Sequence, residues 1–154
     1  GSEMCIRDRH AFGEIQTHKI IEYCFHQKKS VYLPMICNMN QRLVWVKVSR
    51  NQFQNKRFSH HPLGMQEPMA TRGQHVSHLD LLLMPLLACD PYGTRIGMGG
   101  GFYDKTLASA RYHRPFRLGL AHHFQLVPQR LIREKWDQPL DGLLTPQQHL
   151  RFKR

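Results

Sequence analysis

The sequence has no apolar stretch long enough to cross a bilayer. Its longest, Leu79 to Cys89, is broken by Asp80 and Pro85 and falls well short of the ~20 residues a spanning helix needs. It has only four cysteines, Cys5, Cys24, Cys37 and Cys89, with no C-x-x-C pair. That spacing argues against both a zinc knuckle and a disulfide-stapled scaffold, and reduced thiols in the cytoplasm are expected. Acids are scarce, 11 against 22 Lys and Arg, and between Tyr23 and Gln66 there is none against seven bases. No charged-then-apolar leader opens the chain: Gly1 to Arg9 is polar and patternless and reads as an artefactual tail. Residues 10–154 read as a single domain, the size one hydrophobic core supports.

What is present is of ordinary globular proportion: 41% hydrophobic and 21% charged residues exclude a disordered polymer or a fibrous repeat. The excess of +11 should attract polyanions. Nucleic acid is one such partner, and Arg50 to Phe58 (RNQFQNKRF) interleaves bases with aromatics as a single-strand binder would. No zinc-finger, RNP or helix-turn-helix signature accompanies it. A solvated basic face, or a funnel for phosphorylated or polyglutamylated small molecules, accounts for the same charge, so nucleic acid is not the expected partner.

Ile20, Ile21, Cys24 and Phe25 recur at helical spacing from Thr17, with Lys28 and Lys29 at the negative end. Ser30 to Leu33 predicts a strand stopped by Pro34, and Leu43 to Val48 a half-exposed one with Val44, Val46 and Val48 opposite Lys47. Gln52 to His78 reads as a long surface excursion. Leu79 to Met84 has the continuous apolar character of a strand covered on both faces, the best candidate for the sheet's centre. Asp90-Pro-Tyr-Gly93 is a type I turn. A helix over Tyr103 to Ala110, strands over Arg117 to Ala121 and Asp141 to Thr145, and a partly helical stretch around Arg130 to Trp136 complete an α/β domain with a mainly parallel sheet.

Chemistry concentrates in Arg95-Ile-Gly-Met-Gly-Gly-Gly-Phe-Tyr-Asp104. Gly97, Gly99, Gly100 and Gly101 permit positive φ, so successive amides can form an anion-binding nest ahead of a helix. No G-K-[ST] follows, and Phe102 stands where G-x-G-x-x-G needs its last glycine. The bland alternative is a tight strand-to-helix connection. Arg95 suits paired hydrogen bonds to phosphate, or is a surface arginine. Asp104 complements a helix dipole or, beside phosphates, ligates Mg²⁺. A second carboxylate would come from Asp137, Glu134 or Asp141, which spacing does not separate. The pairs His60-His61, His75-x-x-His78 and His122-His123 lack a recognised ligand order and read as solvated or structural. No G-x-S-x-G elbow or other local nucleophile signal is present.

From about Phe12 to Thr145 the chain resembles the 5-formyltetrahydrofolate cyclo-ligase family, also called 5,10-methenyltetrahydrofolate synthetases. The likeness is carried by Gly13 to Thr17 (GEIQT), Val31 to Pro34 (VYLP), Glu67-Pro68, Asp80 to Asp104 (DLLLMPLLACDPYGTRIGMGGGFYD), Gly119 to Ala121 (GLA), Gln125, Trp136-Asp137 and Leu144-Thr145. The resemblance implies a Rossmann-like α/β fold, with a mainly parallel sheet and flanking helices, shared with sugar-phosphate isomerases and CoA transferases. It also implies an ATP- and Mg²⁺-dependent ring closure. The γ-phosphoryl passes to the formyl oxygen on N5, N10 attacks the activated carbon, and phosphate leaves. By the same likeness Arg95, Ile96, Gly97, Met98, Gly99, Gly100, Gly101, Phe102 and Tyr103 hold ATP, with Arg95 the catalytic group. Met98 to Phe102 and Glu14 meet the folate, and Asp104 and Asp137 ligate magnesium. Met98 and Gly100 stand where some relatives carry basic residues. A cytoplasmic monomer acting on folate and ATP is expected. Family members begin with a helix bearing Lys and Arg and a strand ahead of the Glu14 segment. The chain is therefore expected to be an N-terminally truncated member with weakened stability and turnover. The alternatives are an inactive truncated cyclo-ligase and a basic nucleotide- or nucleic-acid-binding module.

Overall fold

The computed structural model describes residues 18–37, 42–54, 73–97, 99, 101–110 and 114–153. Helix α1 (His18–His26) turns its buried Ile21 inward and leads into a long antiparallel hairpin, β1 (Val31–Cys37) and β2 (Arg42–Val48). Strand β1 runs through Pro34 rather than stopping there. Pro34 faces Trp45, whose amide donates to Gln74 O (2.9 Å) and whose carbonyl accepts from Gln74 N (2.7 Å). The ladder groups of Trp45 thus point away from β1, and the amide hydrogen that proline lacks has no partner to lose.

The amide of Leu43 also points away from β1, donating to Thr106 Oγ1 at 2.7 Å. Gln74 and Thr106 thereby satisfy the outer edge of β2. Nor is β2 half-exposed: Leu43 and Trp45, on the face of Lys47, are as buried as Val46 and Val48. The alternation of valines revealed one covered face but not the second. The expected surface excursion from Gln52 to His78 is also partly structured. Short helix α2 (Arg50–Gln54) buries Phe53, and a single 3₁₀ turn over Val76–His78 buries Val76, with Leu79 beyond it in the core.

The larger sheet has the order β3-β6-β7-β8, built from β3 (Leu81–Met84), β6 (Phe116–Leu120), β7 (Gly142–Leu144) and β8 (His149–Arg151). The first three strands run parallel and β8 returns antiparallel. Strand β3 is covered on both faces, yet it stands first in the order and pairs only with β6 among the described residues. An apolar run reports what lies above and below a strand, not beside it. Side chains split by the two-residue period. Leu82 and Met84 join Trp45, Leu107, Ala121 and Leu143 in one cluster, while Leu83 joins Ile21, Val31, Leu33, Phe53 and Leu120 in the other.

A two-stranded ribbon, β4 (Ala88–Cys89) with β5 (Arg95–Ile96), rises from this body across the Asp90 to Gly93 turn. Gly93 sits at φ +89°, where a side chain would be strained, and its amide donates to Asp90 O (3.3 Å). Helix α3 (Phe102–Ala108) follows the glycine loop, beginning one residue and ending two residues earlier than expected. The stretch around Arg130 to Trp136 is not helical. It is an extended loop fixed by side chains.

Candidate active site

Three segments, with Pro85 just beyond β3, meet around a cleft of about 650 Å³, within the range of small-molecule sites. Pro34 and Leu43 come from the β1–β2 hairpin. Arg95 to Gly97, Gly99 and Gly101 to Lys105 come from β5, the glycine loop and α3. Ile132, Trp136 and Asp137 come from the loop before β7.

Within the glycine loop, the left-handed conformation falls at Gly99 (φ +98°) and Gly101 (φ +69°), the latter capping α3. Gly97 does not share it. Its missing Cβ answers a different need, since a Cβ there would lie 2.8 Å from Arg95 Nη1 and 3.0 Å from Nη2. The guanidinium folds back over Gly97 and lies 5.4 Å from the centre of the Tyr103 ring. Met98, Gly100 and Glu14 lie outside the described residues, as do His60 and His61.

Asp104 sits in the first turn of α3 and accepts the amide of Gln138 at 3.0 Å through Oδ1. That bond brings the following helix and the late loop together, so Asp137 lines the same cleft. Asp137 Oδ2 in turn accepts the Glu134 amide at 2.8 Å. Of the three acids that spacing left level, Asp141 is instead buried under β6, accepting Arg117 N at 2.8 Å. Glu134 is exposed and is not among the residues lining the cleft. The other oxygens of Asp104 and Asp137 accept no hydrogen bond from the described residues. A pair of half-buried carboxylates with an oxygen to spare fits Mg²⁺, which takes one or two carboxylates and completes its shell with phosphate and water. No cluster of three potential metal ligands occurs among the described residues.

The loop over residues 131–138 is held from the other side by Asp90, which is fully buried. Its Oδ1 accepts from Tyr92 N and Thr94 N (both 2.9 Å) and its Oδ2 from Leu131 N (2.8 Å). Burial alone would raise the Asp90 pKa, but these main-chain donors outweigh it and hold the carboxyl below its ordinary value. Arg133 adds Nε to Thr94 Oγ1 (2.9 Å) and Nη2 to Tyr92 O (3.1 Å). Cys89, one residue before, is a buried thiol pushed up to about 12, by burial first and then by the Asp90 charge.

His75 is structural. Its Nδ1 accepts the Ser77 amide (3.1 Å) and its Nε2 meets Ser109 Oγ (2.9 Å), joining the 3₁₀ turn to the end of α3. Gln125 is structural too, accepting His122 N (2.8 Å) and donating to Leu86 O (2.9 Å). The cleft also contains residues that the sequence did not single out, Lys105 and Ile132 among them. Arg50, in the basic stretch, lies 3.8 Å from Glu22 and stacks on Phe25.

The sequence matches the 5-formyltetrahydrofolate cyclo-ligase family over residues 10–146. The chain belongs to that family. It is 36% identical over 138 residues to the 5-formyltetrahydrofolate cyclo-ligase of Escherichia coli, covering 87% of this chain and 72% of that one. Against the cyclo-ligase of Haemophilus influenzae it is 36% identical over 143 residues, covering 86% and 70%. Among solved structures, the 5,10-methenyltetrahydrofolate synthetase of Aquifex aeolicus superposes with a TM-score of 0.68 at 23% identity, over 99% of this chain and 72% of that one. The Mycoplasma pneumoniae synthetase gives 0.64 at 18%, over 92% and 71%. These two likenesses concern the fold alone. The cyclo-ligases are enzymes that consume ATP, and no described helix of this member is long and apolar enough to cross a membrane.

Proposed function

We propose that this chain closes 5-formyltetrahydrofolate to 5,10-methenyltetrahydrofolate at the cleft between the glycine loop and the loop before β7. ATP gives its γ-phosphoryl to the formyl oxygen and leaves as ADP. The N10 lone pair then forms a bond to the activated formyl carbon, N10 gives up its proton to solvent, and the carbon–oxygen bond breaks to release inorganic phosphate. The observation that carries this reading is the convergence of Arg95 and Asp104, at the two ends of the glycine loop, with Asp137 from a distant loop on one cleft.

In this reading Arg95, held by Tyr103 and Gly97, donates its planar N–H groups to phosphate oxygens. Ile96 to Tyr103 wrap the nucleotide, Met98 to Phe102 also border the folate, and Glu14 recognises it. Asp104 and Asp137 would hold Mg²⁺, whose charge neutralises the phosphates during transfer. The protein's task is chiefly to align and to neutralise, because phosphoryl transfer needs little covalent help. The parallel strands β3, β6 and β7 suit membership of the wider Rossmann-like class with sugar-phosphate isomerases and CoA transferases. Cys89 is a thiol, donating to Asp90 O at 3.3 Å, as suits a cytoplasmic enzyme.

The test is to incubate the chain with 5-formyltetrahydrofolate, ATP and Mg²⁺ and follow the absorbance of the methenyl product. Turnover that is lost in Arg95→Ala and Asp104→Asn supports the reading. Turnover indifferent to both rejects the site, and salt-sensitive oligonucleotide binding without turnover favours a binding module instead.

A further inference from the structure

Two large apolar side chains at the cleft are unusually bare: Ile132 is 87% exposed and Trp136 65%. Mobility does not explain them, because the loop that carries them is tied at both ends. Leu131 N is bonded to Asp90 and Gln138 N to Asp104, with Arg133 and the Glu134–Asp137 bond between. A loop so fixed holds its apolar groups out to water when it could have turned them in. Both line the cleft beside Asp137, and Ile96, also exposed, lines it too.

The geometry points to Trp136, backed by Ile132, as a stacking platform for a planar nitrogen heterocycle of one of the two substrates. The shape of the indole selects the ligand class, since every flat heteroaromatic ring offers a face to it whatever its hydrogen-bonding edge. Its neighbour Asp137 lies where the charged end of a nucleotide would be neutralised, so a ring bound there stays within reach of the reacting groups. Adenine and the pteridine both meet this description. This inference rests on the functional reading above and adds a residue to which that reading gives no role.

The chain has two tryptophans, Trp45 fully buried and Trp136 exposed, so acrylamide quenching of the wild-type protein reports Trp136 with little background. ADP with Mg²⁺ is one arm and 5-formyltetrahydrofolate alone the other. The ligand whose ring stacks should shield Trp136 from the quencher. Its Kd, measured by calorimetry, should rise between about 5- and 100-fold in Trp136→Ala, in line with base-stacking losses, and recover in Trp136→Phe. The other ligand should bind unchanged. If the wild type binds both ligands and neither shields Trp136 nor loses affinity in Trp136→Ala, the platform is overturned and the functional reading stands. If the wild type binds neither ligand, both fall.

Discussion

The amide of Gln138 donates to Asp104 Oδ1 at 3.0 Å, and this bond brings a carboxylate at the start of one helix beside a second carboxylate from a distant loop. In the proposed site Asp104 would have two jobs on two oxygens, one holding the loop and one offered to the metal. Asparagine can do only the first. In Asp104→Asn the carbonyl oxygen still accepts the Gln138 amide, so the fold should survive with a melting temperature within a few degrees of wild type. Turnover should fall on the order of 100-fold or more, since metal neutralisation supplies several kcal/mol. Steady-state rates titrated with Mg²⁺ check this; unchanged magnesium dependence would remove Asp104 from the metal.

Gly97 offers a way to disturb Arg95 without touching it. An alanine methyl would lie 2.8 Å from Nη1, and the flexible end of the arginine would yield before the backbone does. Gly97→Ala should therefore fold normally and lose activity in the same sense as Arg95→Ala. The expected loss approaches the roughly 100-fold effect of removing one aligned donor. Kinetics of the two single variants and the double one decide it: strongly non-additive losses are expected if both act through the guanidinium.

Asp90 gives the fold an acid-sensitive component. Its pKa is lower folded than unfolded, so its contribution is fully present above the unfolded value of about 3.9 and drains away as pH falls toward the folded one. Urea midpoints measured from pH 6 downward should decline for the wild type. In Asp90→Asn that decline should be shallower, from a lower starting stability. Asp90→Ala, which strands one buried and two part-buried amides, should cost on the order of 3 kcal/mol.

Strand β6 passes so close to its neighbours that Gly119 has no room for a methyl. A Cβ there would sit 2.7 Å from Leu86 Cδ2, 2.8 Å from Leu140 Cδ1 and 3.0 Å from Leu143 Cδ1. Three core leucines cannot all retreat. Gly119→Ala should destabilise by about 1–3 kcal/mol through overpacking, seen as a lower urea midpoint at unchanged m-value.

The parts of this molecule that were legible in its sequence are the local ones. The glycine loop, Arg95 and Asp104 lie within ten consecutive residues, and their chemistry can be read from type and spacing. The helix at His18–His26 and the parallel strands announce themselves by apolar period. The pairing of Asp104 with Asp137 has no such signature. Asp137 reaches the cleft of Asp104 through the Gln138 amide, which meets a single carboxylate oxygen across the fold; spacing left Asp137 level with Glu134 and Asp141, and only the resemblance to cyclo-ligases proposes it as a ligand. The stretch around Arg130 to Trp136, expected to be partly helical, is a loop for the same reason, because side-chain anchors have no periodicity. Pro34 misled because a proline stops a strand only where its amide would have been needed, and that depends on Gln74, forty residues away.

Thr106 links the two walls of the cleft through a single hydroxyl, which accepts from Leu43 N at 2.7 Å and donates to Phe102 O at 2.6 Å. A molecule wedged between hairpin and helix loads that tie directly. Deuterium uptake at the Leu43 amide is thus a built-in gauge of occupancy: exchange there should slow when the cleft is filled.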